Sequence, residues 1–195
     1  MPGAKDDLRQ EMRAARAAIP EARRAEAAQR VAAGVRTQLE GRVPRGALAY
    51  AATSEELDPS VLVRSLLGSG VRVAYPRVCA PGELTLHWAG EDELEPGYCG
   101  LLEPTVGCAP AALDAIDLVI VPGVAFDAHC HRLGMGGGFY DRLLARMPSS
   151  ALAIGIAFDE QMVESVPCEE HDRPLHAVVT PGWYFRPGSE PVRRP

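Results

Sequence analysis

The sequence contains no long apolar run and no closely spaced pair of cysteines. No stretch approaches the roughly 18 to 20 apolar residues that a membrane-spanning helix requires, and the charged, alanine-rich N-terminus lacks the apolar centre of a secretion signal. The five cysteines are scattered, and their odd number argues against a disulfide framework or a thiolate zinc site. We therefore expect a cytoplasmic protein with reduced thiols and no membrane partner.

Lysine is nearly absent, since Lys5 is the only lysine among the 20 basic residues. The formal net charge of −6 predicts no nucleic-acid partner, because such binding needs a broad basic surface. The charge is distributed unevenly. Residues 1–45 contain 10 basic and 6 acidic side chains, which leaves 10 basic and 20 acidic side chains for residues 46–195. A basic N-terminal arm is therefore attached to an acidic body.

The order of the apolar segments predicts an α/β fold with a mostly parallel central sheet. An apolar run at 47–52 precedes a helical pattern opened by Asp58-Pro59, and a second run follows at 71–75. This strand–helix–strand order is typical of a parallel pair joined by a right-handed crossover. Further strands are predicted at 118–121, 152–156 and 177–180.

The length of 195 residues and the 47% hydrophobic content are typical of one globular core. We therefore predict a single domain over residues 1–185. Residues 90–110 are rich in Gly, Pro and Glu, which indicates an irregular loop. Residues 186–195 are rich in Pro and Arg, which predicts a disordered tail.

A glycine-rich segment in the second half of the chain predicts an anion site. Four of the five residues at positions 134–138 are glycine, so backbone N–H groups can turn towards a phosphate without an intervening Cβ. A helix predicted to begin near Phe139 adds its dipole, and Arg132 can add a bidentate cation. The segment is neither a P-loop nor a dinucleotide fingerprint. An ordinary glycine-rich turn is the alternative.

The first predicted helix has two different faces. Its apolar face is formed by Leu8, Met12, Ala15 and Ile19, which recur at helical spacing. Its basic face is formed by Lys5, Arg9 and Arg13, which are four residues apart. Periodicity alone favours a solvated basic face, and a phosphate-binding face is the alternative.

Several motifs, in order along the chain, resemble the 5-formyltetrahydrofolate cyclo-ligase family, also called 5,10-methenyltetrahydrofolate synthetases. The resemblance covers about residues 4–182. It rests on the basic box at 5–9, the acidic turn at 56–58, Glu103-Pro104, the block from Phe126 to Arg142, and the motifs at 157–161, 166–167 and 171–172.

The resemblance implies a three-layer α/β/α fold and an ATP- and Mg²⁺-dependent cyclisation of 5-formyltetrahydrofolate, or of its polyglutamylated form, by a monomer or weak homodimer. Arg132 and Lys5 are the implied catalytic residues, and Asp141 and Asp172 the implied Mg²⁺ ligands. The implied ATP-binding residues are Lys5, Arg9, Arg132, Leu133, Gly134, Met135, Gly136, Gly137, Gly138, Phe139 and Tyr140. The implied folate-binding residues are Glu56, Met135, Gly136, Gly137, Gly138 and Phe139.

The chain departs from the family pattern at several positions, and these departures affect substrate preference more than ATP binding. Cys130 replaces a usual glycine, Met135 and Phe139 replace common tyrosines, and His176 replaces a common acid; Cys99 stands where an aromatic is often found, although Tyr98 beside it can substitute. Two alternative functions remain. One is a noncatalytic nucleotide- or folate-binding relative, and the other is a different enzyme of the same fold, such as a sugar-phosphate isomerase.

Overall fold

The computed structural model describes residues 2–80, 83–168 and 174–194. The α-helices are α1 (Pro2–Ala17), α2 (Glu21–Gln38), α3 (Ser60–Gly68) and α4 (Phe139–Arg146). The strands are β1 (Gly46–Leu48), β2 (Arg72–Ala80), β3 (Glu83–Trp88), β4 (Leu94–Pro96), β5 (Leu102–Pro104), β6 (Leu118–Val121), β7 (Ala125–Asp127), β8 (Arg132–Leu133), β9 (Leu152–Ile156), β10 (Met162–Val163), β11 (Ala177–Val179), β12 (Trp183–Phe185) and β13 (Val192–Arg193). None of the helices in these ranges is long and apolar enough to cross a membrane.

The central sheet has eight strands in the order β13-β12-β11-β9-β6-β1-β2-β3. Its five middle strands, from β11 to β2, are parallel to one another, while β3 pairs antiparallel with β2, β12 with β11, and β13 with β12. The predicted mostly parallel sheet is thereby confirmed. The centre of the sheet is β6, in which every residue is buried because both faces are covered.

Helices cover both faces of this sheet, which confirms the three-layer architecture. On one face, α2 and α3 contribute Val31, Val35, Leu62 and Val63 to a core shared with alternate residues of the central strands. On the other face, Leu143 of α4 packs with a separate core that includes Phe126. A small sheet of order β10-β7-β8 lies beside that second core, and Met12 of α1 packs against its Ala125 and Leu133.

Two segments are more regular than the sequence indicated. The predicted irregular loop at 90–110 contains the antiparallel pair β4–β5. The tail differs from the expectation of disorder, because β13 pairs with β12 and Arg194 donates hydrogen bonds to the carbonyls of Thr180 (2.8 Å) and Arg30 (2.7 Å). The edge of β12 carries backbone groups that need partners, and β13 supplies them.

Candidate functional site

Asp127, at the end of β7, fixes the turn that leads to Arg132. Its buried carboxylate accepts hydrogen bonds from the backbone N–H groups of His129 (3.0 Å), His131 (2.9 Å) and Val166 (3.0 Å). These bonds close a tight turn in which Cys130 has a φ of 65°. Since a residue with a side chain rarely adopts that conformation, the observation gives a physical reason why glycine is usual there. The chain then returns as β8, which begins with Arg132.

Arg132 is held by contacts on several sides. Its side chain is only 7% exposed, and Nη2 lies 2.5 Å from Oδ1 of Asp141. Nη1 donates a hydrogen bond to the carbonyl of Pro122 (3.4 Å), and the guanidinium lies 5.7 Å from the ring centroid of Tyr140. The cation is therefore fixed in orientation at the entrance to the glycine loop, by which we mean residues 134–138.

The glycine loop has the backbone conformation of an anion cradle. Gly136 has a φ of 99° and Gly138 a φ of 63°, both in the left-handed region. Within the described ranges, the backbone N–H groups of residues 135–138 donate no hydrogen bond, and the first turn of α4 follows directly. Free backbone donors beside a helix N-terminus favour a bound anion.

The basic face of α1 meets the glycine loop. Nε of Arg9 donates a hydrogen bond of 2.9 Å to the carbonyl of Gly134, 125 positions further along the chain. Lys5 lies one helical turn before Arg9 and is half-buried. A cleft of about 430 Å³ lies between the two elements, and Arg9 and Met135 are among its lining residues. This face of α1 is therefore part of the site region, whereas periodicity alone had favoured a solvated position.

A second, larger cavity of about 680 Å³ lies beside the turn at 53–56, and we call it the turn cavity. Glu56 lines it, and the carboxylate of Glu56 also accepts a hydrogen bond of 2.9 Å from the backbone N–H of Thr53. Its other lining residues include Tyr50, Tyr75, Arg24 and Arg64. The cavity is bounded by segments from α2, α3 and β5, which are remote from one another in sequence.

Tyr140 connects the two regions. Its hydroxyl is buried, and no hydrogen-bond partner for it exists among the residues that the structure describes. Burial raises the pKa of Tyr140, and the negative charge of Glu56 raises it further. The charge of Glu56 therefore acts on the start of α4. Glu55, which precedes Glu56, lines the cleft that Met135 of the glycine loop also lines, so the 53–56 turn contributes to both that cleft and the turn cavity.

An apolar rim lies beside the glycine loop. Phe139 makes an edge-to-face contact with Tyr98, with ring centroids 6.1 Å apart. Tyr98 is 50% exposed and Met135 is 60% exposed. Cys99, next to Tyr98, is also exposed. Tyr98 and Phe139 therefore form a partly exposed aromatic pair next to the exposed Cys99.

Of the two expected Mg²⁺ ligands, the structure describes Asp141. The carboxylate of Asp141 is about half-exposed, at 47%, and forms its ion pair with Arg132. Asp172 lies outside the described residues. In the described part of the chain, no group of three His, Cys, Asp or Glu side chains could hold a metal ion by itself. A cation at Asp141 would therefore need oxygen ligands from a phosphate or from water.

Sequence reasoning missed Asp127 and Arg16 as residues that organise the site. Arg16 is buried, with a side chain only 3% exposed, and lies 3.6 Å from the carboxylate of Glu55. A signal was present, because Arg16 follows Met12 by four residues and so continues the apolar face of α1. Asp127 had no comparable signal, since its role depends on the distant Val166.

Taken together, these features define a class of protein. A doubly covered, mostly parallel sheet carries a glycine loop suited to phosphate, and the 53–56 turn lines both the cleft at that loop and a second cavity. Such a pair of neighbouring sites suits an α/β protein that brings a phosphate compound next to a second small molecule.

The comparisons with known proteins narrow this class to one family. The model of the 5-formyltetrahydrofolate cyclo-ligase family matches residues 2–181. The 5-formyltetrahydrofolate cyclo-ligase of Mycolicibacterium smegmatis is 33% identical over 192 residues, covering 92% of this chain and 95% of that protein. The enzyme of the same name from Escherichia coli K12 is 40% identical over 131 residues, covering 65% and 72%. The chain belongs to the 5-formyltetrahydrofolate cyclo-ligase family.

A solved structure agrees with this assignment. The NMR structure of Aquifex aeolicus 5,10-methenyltetrahydrofolate synthetase superposes with a TM-score of 0.80 at 28% sequence identity. The match covers 98% of this chain and 96% of that one. The similarity therefore extends over the glycine loop, the turn cavity and the C-terminal strands.

Proposed function

We propose that this chain catalyses the ATP- and Mg²⁺-dependent cyclisation of 5-formyltetrahydrofolate to 5,10-methenyltetrahydrofolate, with release of ADP and phosphate. The observation that carries the proposal is the contact between Arg9 and the carbonyl of Gly134. It joins the basic face of α1 to the glycine loop, and the cleft between them is also lined by Glu55, next to the Glu56 of the turn cavity. Membership of the cyclo-ligase family supports the choice of substrates.

On this proposal the glycine loop binds the phosphates of ATP. The unbonded N–H groups of residues 135–138 donate to phosphate oxygens, and Lys5, Arg9 and Arg132 neutralise their charge. The positive φ of Gly136 leaves the backbone open to close approach. Leu133 and Tyr140, at the two ends of the loop, complete the nucleotide site. Lys5 and Arg132 act on the phosphoryl group that is transferred, which makes them the catalytic residues.

Asp141 fits a role as a Mg²⁺ ligand, because its carboxylate is exposed at the end of the glycine loop. Asp172 is the second proposed ligand. When bound, Mg²⁺ would neutralise charge on the phosphates. The ion pair with Arg132 orients the Asp141 carboxylate beside the loop.

The folate is placed in the turn cavity. Its pterin ring presents N–H donors that the Glu56 carboxylate can accept, and the rim formed by Met135 and Phe139, with Tyr98, offers apolar and aromatic surface. The backbone of Gly136, Gly137 and Gly138 lies between the two substrates. This arrangement brings the formyl group of the folate next to the terminal phosphate of ATP.

The reaction needs little covalent participation by the protein. The formyl oxygen attacks the terminal phosphorus of ATP and ADP leaves. The N10 nitrogen then attacks the activated formyl carbon and loses its proton, and phosphate departs with the former formyl oxygen. Positioning of the two substrates and neutralisation of the phosphates account for most of the catalysis in such a transfer.

One experiment tests the proposal directly. Purified protein is mixed with ATP, Mg²⁺ and 5-formyltetrahydrofolate labelled with ¹⁸O in the formyl group. Near-ultraviolet absorbance follows the methenyl product, and mass spectrometry of the released phosphate detects the label. We expect absorbance growth, with one ¹⁸O atom in each phosphate. Protein that binds ATP but gives neither product nor ADP would show a noncatalytic relative instead.

A further inference from the structure

The turn cavity is lined by more acidic than basic side chains. Its acidic lining residues are Glu21, Glu56, Asp58 and Glu91, and its basic ones, within the described ranges, are Arg24 and Arg64. A folate carries two carboxylates at its glutamyl end, opposite the pterin ring. The acidic part of the lining repels such an anionic end, which therefore needs a cation that is free to turn towards it. The two arginines decide where the glutamyl end can lie.

The first of these arginines, Arg24, is bound to the backbone. Its Nε donates a hydrogen bond of 2.9 Å to the carbonyl of Ile19, and Nη1 donates one of 3.0 Å to the carbonyl of Ser54. Nη2 donates to the carbonyl of Arg16. Each guanidinium nitrogen thus has a carbonyl partner. Turning the side chain towards a ligand would break bonds that tie the 53–56 turn to the junction of α1 and α2.

The second arginine, Arg64 on α3, is held only weakly. Its side chain is 59% exposed, and Nη1 lies 3.6 Å from Oε2 of Glu91, whose side chain is 43% exposed. An ion pair of this length between two exposed groups contributes little to stability, because water solvates both charges when the pair separates. A carboxylate of a ligand can therefore replace that of Glu91 at small cost.

We propose that Arg64 is a specificity-determining residue of the folate site, where its guanidinium binds a glutamyl carboxylate of 5-formyltetrahydrofolate in place of Glu91. This inference rests on the proposed function, since it takes the folate to be the ligand of the turn cavity. Glu56 then contacts the pterin end of the molecule and Arg64 its glutamyl end. A guanidinium suits this role, because its paired N–H donors match the two oxygens of a carboxylate. Glu91 competes with the substrate for the same donors.

The test is calorimetric titration with two ligands: 5-formyltetrahydrofolate, and an uncharged analogue in which a methylamide replaces the glutamyl group. Arg64→Gln should weaken binding of 5-formyltetrahydrofolate by about tenfold, because a charge-assisted contact is lost, and should leave binding of the analogue unchanged. Arg64→Lys keeps the charge without the paired donors and should give a smaller loss. Arg23→Gln is the matched control, because Arg23 is 60% exposed and paired with Glu160 but does not line the cavity. It should bind both ligands as the parent does.

Removal of the competing carboxylate should increase affinity. Glu91→Gln releases Arg64 from its ion pair, so the variant should bind 5-formyltetrahydrofolate about two- to threefold more tightly than the parent does. Adding Glu91→Gln to Arg64→Gln should give no comparable gain, because the two residues act as a pair. An equal gain in both backgrounds would overturn the proposal. So would an Arg64→Gln variant that binds the folate and the analogue with equally reduced affinity.

Failure of the proposed function can be told apart from failure of this inference, because calorimetry measures binding without turnover. If the parent binds the folate without converting it, the activity is absent, and the Arg64 variants still report whether Arg64 contacts the glutamyl end. If the parent converts the folate and Arg64→Gln binds it as tightly as the parent does, only the inference about Arg64 is wrong. A parent that does not bind the folate at all would overturn both.

Discussion

The glycine loop and the turn cavity are built in opposite ways. The glycine loop is an exposed segment whose character comes from backbone conformation, with Gly136 and Gly138 in the left-handed region. Its cations are held at the rim by a backbone carbonyl and one carboxylate. The key carboxylate of the turn cavity, Glu56, instead lies on a turn that is fixed by the hydrogen bond from Arg24 to the carbonyl of Ser54 and by the ion pair of the buried Arg16 with Glu55.

This difference predicts that substitutions in the two regions affect ligand binding and protein stability to different degrees. Apart from the buried Arg132, the side chains at the glycine loop, such as Arg9 and Met135, are exposed or partly exposed, so their removal should change ligand binding with little effect on folding. Groups behind the turn cavity are buried, so their removal changes the balance of buried charge as well. Variants of the glycine loop test the first half of this comparison.

The largest effect is expected for Gly136→Val, which should abolish ATP binding. At a φ of 99° a Val side chain is strained, and its Cβ would lie 3.6 Å from the guanidinium carbon of Arg9, in the space assigned to phosphate. Gly70→Val is the matched control, because Gly70 has a φ of 80° but no heavy atom within 4 Å of an added Cβ. Both variants should lose about 1 to 3 kcal/mol of stability through strain. Calorimetric titration with ATP distinguishes them, and tight ATP binding by folded Gly136→Val would contradict the loop assignment.

A smaller effect is expected for the basic face of α1. Lys5→Ala and Arg9→Ala should each raise the ATP KM by roughly tenfold or more, because one charge-assisted phosphate contact contributes about 1.5 to 3 kcal/mol. The melting temperature should hardly change. Arg23→Ala, which removes an exposed arginine paired with Glu160, is the control for loss of a surface charge. Unchanged ATP kinetics in both variants would indicate that Lys5 and Arg9 belong to a solvated face of α1.

Substitution of the two aspartates is expected to lower activity at limiting Mg²⁺, and added Mg²⁺ should reverse part of this loss. Asp141→Asn and Asp172→Asn should each raise the Mg²⁺ concentration for half-maximal activity, because the amide keeps the shape but removes the charge. High Mg²⁺ should partly restore the rate, and the double variant should lose less than the sum of the single losses. The measurement is a Mg²⁺ titration of activity at saturating ATP. Titrations that overlay that of the parent would leave Asp141 only its ion pair with Arg132.

The parts of the fold that the sequence predicted well are those whose physics is local. The strands at 118–121 and 152–156 match β6 and β9 to the residue, because strands covered on both faces appear as continuous apolar runs. The helix after the glycine loop was also predicted, since the glycines and the helix start are adjacent. The candidate glycine loop was recognisable for the same reason.

The rest depends on contacts between distant segments. Strands β8, β10 and β13 have two residues each, too few for a period to appear. Strand β13 lies in the predicted tail and pairs with the edge of β12, a partner that composition alone cannot reveal. The spacing from Met12 places Arg16 on the apolar face of α1, but its contacts depend on the positions of Gly123 and Glu55, which periodicity does not reveal.

The smallest expected effect concerns Cys130, in the turn that precedes the glycine loop. It tests whether that turn stays closed to solvent while the loop itself is exposed. Burial, aided by the negative charge of Asp127, raises the pKa of Cys130 to about 12. The thiol therefore stays protonated as pH rises through 8, where its thiolate fraction is about 1 in 10,000, and reactivity should increase only near pH 12.

A titration of the native protein with a coloured thiol reagent at pH 8 provides the measurement. The exposed Cys79, Cys99 and Cys168 should react quickly, while the buried Cys108 and Cys130 should react only after unfolding. Cys130→Ala should therefore leave the fast phase at three thiols and remove one from the total in denaturant. If the parent instead shows a fourth fast thiol that Cys130→Ala removes, the turn that presents Arg132 opens in solution. In that case the turn that precedes the glycine loop is mobile as well as the loop itself. The glycine loop would then differ from the turn cavity in rigidity as well as in exposure.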